Sequence, residues 1–194
     1  ISATVKNMTI DAFESFLVDN LVRSVSEKIE DYLVNGDGSD KPKGVAYANT
    51  WTNNTNAIDW ASTALAAVDI TKAIGLLGSG YDRNAKMLMS KKTLWTNVMP
   101  IRDDAKAPIC RDDGNGNYFI YGYPVILSDA VDVGDIYIGD FTKIVANLAD
   151  EIKVSASEHS GFTYNAIDYR GTCIFDSDVA DAAAFVKIAA DIVA

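Results

Sequence analysis

Apolar residues recur every three or four positions along the first part of the chain, at Ile10, Phe13, Leu17, Leu21, Val25, Ile29 and Tyr32, with Glu14, Asp19, Arg23, Glu27 and Glu30 between them. That spacing gathers the apolar side chains into one stripe and predicts a single amphipathic helix from Ile10 to Asn35. Thr9 suits its N-cap, Asp11 and Glu14 lie near the positive end of its dipole, and Gly36 is expected to end it in a left-handed conformation. At 1.5 Å per residue the rod is about 40 Å long. A compact domain of this size rarely needs one so long.

Beyond the helix, "LVNGDGSDKPKGV" (33–45) is glycine-rich, and Tyr47 to Asn56 is polar and reads as a surface loop. A second helical stretch is expected over Asp59 to Leu77, with a break near Val68 where Asp69 begins a new helix, closed by Gly78-Ser79-Gly80. "AKMLMS" (85–90) is a short apolar run that predicts a buried strand, after which Ser90 caps a short helix running to Pro100. Arg102 to Asn117 is predicted to be a long polar loop. β-Branched and aromatic residues then cluster between Gly, Pro and Asp in "YFIYG", "YPVILS", "DIYIGDF", "KIVAN", "EIKVSAS", "FTYNAIDYRGTCIF" and "AAFVKIAA", each read as a strand. Helices thus fill the N-terminal half and strands the C-terminal half, which predicts an α+β fold.

Composition narrows the functions available. The chain has 194 residues, 48% of them hydrophobic, enough for one substantial domain or two small ones. No apolar run reaches the ~18 residues of a membrane span. Net charge is −10, with the acids dispersed, so a phosphate backbone would be repelled unless a basic patch formed. Cys110 and Cys173 are too few for a disulfide framework and read as reduced thiols. Asn7-Met8-Thr9 and Asn53-Asn54-Thr55 match the glycosylation triplet, and with no signal-peptide pattern in this sequence they are expected to be chance matches.

Candidate chemistry fails at each place where it could start. The glycine-rich loop lacks the Gly-Lys-Ser/Thr ending that sets a lysine on nucleotide phosphates. Asp37 and Ser39 alternate as in a calcium loop but run into Lys41 and Pro42, and no acid stands at the twelfth position. In "DGNGNY", Asp113, Asn115 and Asn117 alternate, yet Tyr118 holds the place that needs glycine and Pro124 the place of the bidentate acid; a solvated turn is expected. His159 is the one histidine, flanked by Ser157 and Ser160 without a nucleophile elbow. The carboxylate pairs Asp103 with Asp104 and Asp176 with Asp178 could flank a substrate in a glycosidase, but adjacent acids are expected in a chain this acidic, and they read as solvated loops. No metal ligand set, cofactor site or catalytic group is expected.

In order, the landmarks "LVNGDGSDKPKGV", "KMLMSKKTLWTNV", "YGYPVILSDAV", "IYIGDFTKIV", "IKVSASEHSGFTYNAIDYRG" and "AAFVKI" resemble the major capsid proteins of tailed bacteriophages, with the Hong Kong 97 (HK-97) type fold. The resemblance implies a spine helix at 10–35, a peripheral domain of residues 1–44 and 151–177, and an axial domain of residues 45–150 and 178–194 whose mixed sheet is flanked by helices. It further implies a structural protein that assembles with copies of itself into pentamers and hexamers of an icosahedral shell enclosing phage DNA. Scaffold, portal and decoration proteins would be its partners, assembly would take place in the bacterial cytoplasm, and the virion would be its location. Family members carry an N-terminal arm and an extended loop before the spine helix. This chain is expected to be a core trimmed of both, monomeric or in small oligomers.

By position in "FTYNAIDYRG", Asn165 matches the asparagine that some members join to a lysine. The glutamate's place falls near Thr172, so cross-linking is not expected. The long loop, with Arg102, Asp103, Asp104, Arg111, Asp112 and Asp113, is expected to face a symmetry axis. Two other readings stay open: an encapsulin-like nanocompartment shell, and a soluble α+β enzyme or ligand-binding domain.

Overall fold

The computed structural model describes residues 11–60, 64–103, 105–157, 159, 167–190 and 192. The chain divides into two compact units, one of residues 1–32 and 146–176, the other of residues 33–145 and 177–194. It passes between them within the long helix and within two long strands.

The first unit holds most of helix α1 (Asp11–Asn35) and most of a two-stranded sheet of β7 (Ile144–Ser157) and β8 (Asp168–Val179). Leu17, Leu21, Val25, Ile29 and Tyr32 are half-buried on one stripe of α1, as the spacing required, while Arg23 and Glu27 pair across one exposed turn at 3.0 Å. On β8, Gly171 runs so close to α1 that a Cβ there would lie 3.1 Å from Val25 Cγ2. Thr9, the expected N-cap, lies outside the described residues.

The second unit is built on a seven-stranded mixed sheet. Its strands are β1 (Ala57–Asp59), β2 (Lys86–Met89), β3 (Cys110–Asp112), β4 (Tyr118–Ile120), β5 (Tyr123–Leu127), β6 (Ile136–Gly139) and β9 (Phe185–Ala189), in the order β1-β9-β6-β2-β5-β4-β3. The pairs β1–β9 and β2–β5 are parallel and the rest antiparallel. Alternation along each strand sends side chains to opposite faces. Met87, Met89, Ile136, Ile138, Val186 and Ile188 enter a core shared with helix α2 (Ala67–Leu76) and with Leu94 and Val98. Leu88, Tyr137 and Phe185 enter a second core on the other face, with Val34, Val45 and Val131.

Four expectations need correction. The left-handed residue after α1 is Gly38 (φ 74°), not Gly36, and the loop closes as a small hairpin in which Gly44 N–H donates to Gly36 O at 2.9 Å. Asp59 does not begin a helix: residues 57–59 form β1, and α2 starts only at Ala67, where the Asp69 carboxylate accepts from Ala66 N–H at 3.1 Å. The loop 102–117 contains strand β3. Lys143 aside, "KIVAN" and "EIKVSAS" belong to one 14-residue strand, β7.

Ser90 caps as expected, its Oγ accepting from Thr93 N–H at 3.3 Å ahead of the short helix α3 (Lys91–Thr93). That helix widens into a π-helical turn, Leu94–Val98. Among the described residues no helix is long and apolar enough to cross a membrane.

Candidate functional site

The charged loop lies at the β3 end of the seven-stranded sheet, and most of its charges have local work. Arg102 Nη1 donates to Met99 O and Ile101 O, at 2.7 and 3.0 Å. Asp103 Oδ1 accepts from Ala107 N–H at 2.7 Å, which closes a tight turn in which Lys106 takes a left-handed φ of 63°. Asp112 Oδ1 accepts from Gly114 N–H at 2.7 Å. Asp113 accepts from the Asn117 amide group at 2.7 Å and from the Asn115 N–H at 2.8 Å, and these bonds, led by the Asn117 side chain, hold its carboxyl below the usual range. Each of these carboxylates thus serves to close its own turn. Asp104 lies outside the described residues.

Behind this turn is a pocket of about 340 Å³, lined among others by Asp103, Pro108, Ile109, Arg111, Phe119 and Tyr121. Arg111 and Phe119 are register partners on β3 and β4. They alternate with Cys110 and Ile120, which enter the helix-side core, so they face the other way. Tyr121 and Gly122 form the two-residue turn between β4 and β5, with φ of 50° and 93°. Both central residues of such a turn need positive φ, a place that Asn, Asp or Gly normally takes. An exposed tyrosine holds it here, at the mouth of the pocket.

The aromatic lining is what the sequence reading missed, because Phe119 and Tyr121 pass for ordinary strand residues. A usable signal was present: "YG" alone between two strand patterns forces a tyrosine into a left-handed turn. Across the sheet, Trp95 on the π-helical turn is 50% exposed and meets Tyr118 edge-on, with ring centres 6.2 Å apart.

The other candidates are scattered. His159 is exposed, and its neighbour Ser160 lies outside the described residues, as does Asn165. Asp178 Oδ1 accepts from Val179 N–H at 2.7 Å and stands 3.8 Å from Lys43 Nζ. Asp37 accepts from Ser39 N–H at 3.0 Å within the glycine-rich loop, and this bond lowers its pKa. Cys110 and Cys173 are free thiols, and burial, reinforced by the Asp112 charge, pushes Cys110 up. Among the described residues, no three His, Cys, Asp or Glu side chains group as metal ligands would. The pocket mixes apolar surface from Pro108, Ile109, Phe119 and Tyr121 with the opposite charges of Arg111 and Asp103, an arrangement for seating an amphipathic side chain.

A sequence profile of the phage capsid family matches residues 3–190. The chain belongs to the phage capsid family.

Solved structures agree on the fold. This capsid protein is similar to "Capsid of native GTA particle computed with C5 symmetry", with 20% identity and a TM-score of 0.79 over 97% of this chain and 69% of that one. It is similar to a chain of "Gordonia phage Cozz", with 15% identity and a TM-score of 0.69 over 98% and 67%. A third likeness is to the holo-SrpI encapsulin complex from Synechococcus elongatus, with 15% identity and a TM-score of 0.67 over 100% and 72%. No curated protein sequence gives a match. The fold is the HK-97-type α+β capsid fold, and the capsid protein is a structural, major capsid protein.

Proposed function

We propose that this capsid protein assembles with copies of itself into the icosahedral shell of a phage head and encloses DNA without gripping it by sequence. The family match across nearly the whole chain carries this reading. The seven-stranded unit acts as the axial domain around five- and six-fold centres, and the unit of α1 with β7 and β8 as the peripheral domain. Arg102, Asp103, Asp104, Arg111, Asp112 and Asp113 face the symmetry axis. Scaffold, portal and decoration proteins join the assembly in the host cytoplasm, and the protein performs no catalysis. A net charge of −10 favours a lumen that lets DNA in and out.

Electron microscopy of the full-length gene product tests this: closed shells of uniform diameter are expected, and their absence at every protein concentration would reject it. The likeness to an encapsulin supports a second reading, a shell around a protein cargo. Nucleic acid inside purified particles favours the first, and a co-purifying enzyme the second.

A further inference from the structure

The sheet end that carries the charged loop has two unlike faces. On one face lies the pocket behind Tyr121, with Arg111 and Phe119 in its wall. On the other, where Tyr118 packs against the helix-side core, Trp95 stands out from its π-helical turn. The other two tryptophans are placed differently: Trp51 and Trp60 are half-buried, and their indole N–H groups donate to Ala46 O at 2.7 Å and Gly134 O at 3.2 Å. Trp95 thus has half its surface in water, where a large apolar side chain gains by finding a partner.

A contact that closes a ring is heterologous: each subunit must offer two different surfaces, one to the neighbour ahead and one to the neighbour behind. A knob and a hollow on opposite faces of one sheet end meet that requirement. Resting on the capsid reading above, we propose that Trp95 of one subunit seats in the Tyr121 pocket of a second copy. Phe119 and Tyr121 supply aromatic surface for the indole, and Arg111 supplies a cation for its face. Charge permits the approach as well. Lys91 and Lys92 stand exposed just ahead of Trp95, while on the loop beside the pocket, from Arg102 to Asp113, four acids outnumber three cations, so the two surfaces are opposite in sign. The left-handed Tyr121 is then strain kept for a contact and not for the turn itself.

The test uses the full-length product in two forms that each gain one cysteine, Trp95→Cys and Tyr121→Cys, mixed and oxidised. A disulfide-linked pair that forms only in the mixture is expected, with the unsubstituted protein as control for Cys110 and Cys173. Tyr121→Asn supplies a check on folding, because Asn suits the turn better than Tyr: thermal stability should hold or rise while association weakens about tenfold, as for loss of an interface anchor. Shells from the unsubstituted protein without the linked pair would overturn the proposal and leave the capsid reading standing. The linked pair without shells would support the contact and reject the shell. Neither pair nor shells would reject both.

Discussion

Lys187 Nζ lies 2.6 Å from Asp135 Oδ2 and 5.4 Å from the centre of the Tyr137 ring. Both charged side chains are only 18% exposed; Lys187 is on β9, and Asp135 directly precedes β6, the neighbouring strand in the sheet. One ammonium therefore answers a carboxylate and an aromatic face together. Asp135→Asn would leave that ammonium without its counter-charge, at a cost of about 2 kcal/mol, below the full cost for a completely buried pair. Urea unfolding checks this, and a double variant with Lys187→Met should recover part of the loss.

Gly139 admits no side chain. A Cβ there would lie 2.2 Å from Ala184 O, which accepts from Asp140 N–H, and 2.7 Å from Cδ1 of Phe185, the register partner of Gly139 on β9. The obstacle is mainly backbone, which cannot step aside as a side-chain tip would. Gly139→Ala should cost at least about 3 kcal/mol, seen as insoluble expression or a large drop in the urea midpoint.

Asp140 caps the turn between β6 and β7, its Oδ1 accepting from Thr142 Oγ1 at 2.7 Å and from Thr142 N–H at 3.0 Å. These bonds, the Thr142 side chain first, hold the carboxyl below its ordinary value. A lowered carboxyl contributes stability above its unfolded pKa, and that contribution is lost as pH falls through the folded value. Asp140→Ala should cost about 1 kcal/mol at neutral pH, as loss of a cap does. The gap from the parent should narrow as pH falls below about 4, followed by urea unfolding across that range.

The Tyr123 hydroxyl donates to Asp82, and that bond, with burial second, raises the phenol to about 12. A raised pKa stabilises the fold below the unfolded value near 10, and the gain disappears as pH climbs from about 10 through about 12. Tyr81 and Tyr137 are raised too, so alkaline unfolding is shared among several phenols. Tyr123→Phe should therefore flatten the stability profile between pH 10 and 12 without abolishing its slope. An identical profile for parent and variant would show that the Asp82 contact carries no weight.

What the sequence disclosed followed from how local the cause was. The stripe on α1, the run at 86–89 and the cap at Ser90 depend on neighbours a few residues apart, and each stands where its spacing placed it. β1 escaped because "AIDWASTAL" also fits a helix, and only pairing with β9, about 130 residues later, decides the matter. β3 escaped because two of its three residues are charged and its partner β4 lies beyond a turn of Asp, Asn and Gly. At the candidate site the charges were visible, but not that Asp103, Asp112 and Asp113 are occupied as turn acceptors. The pocket depends on which face Arg111 and Phe119 share, and that required the register.

The place of β9 also bears on synthesis. It is the last strand of the sheet in sequence but lies inside it, between β1 and β6. While a ribosome is still making residues 185–189, β1 has no partner and the inner edge of β6 is open. The seven-stranded sheet therefore closes only after those residues emerge, so the last pairings of this unit form at the very end of synthesis.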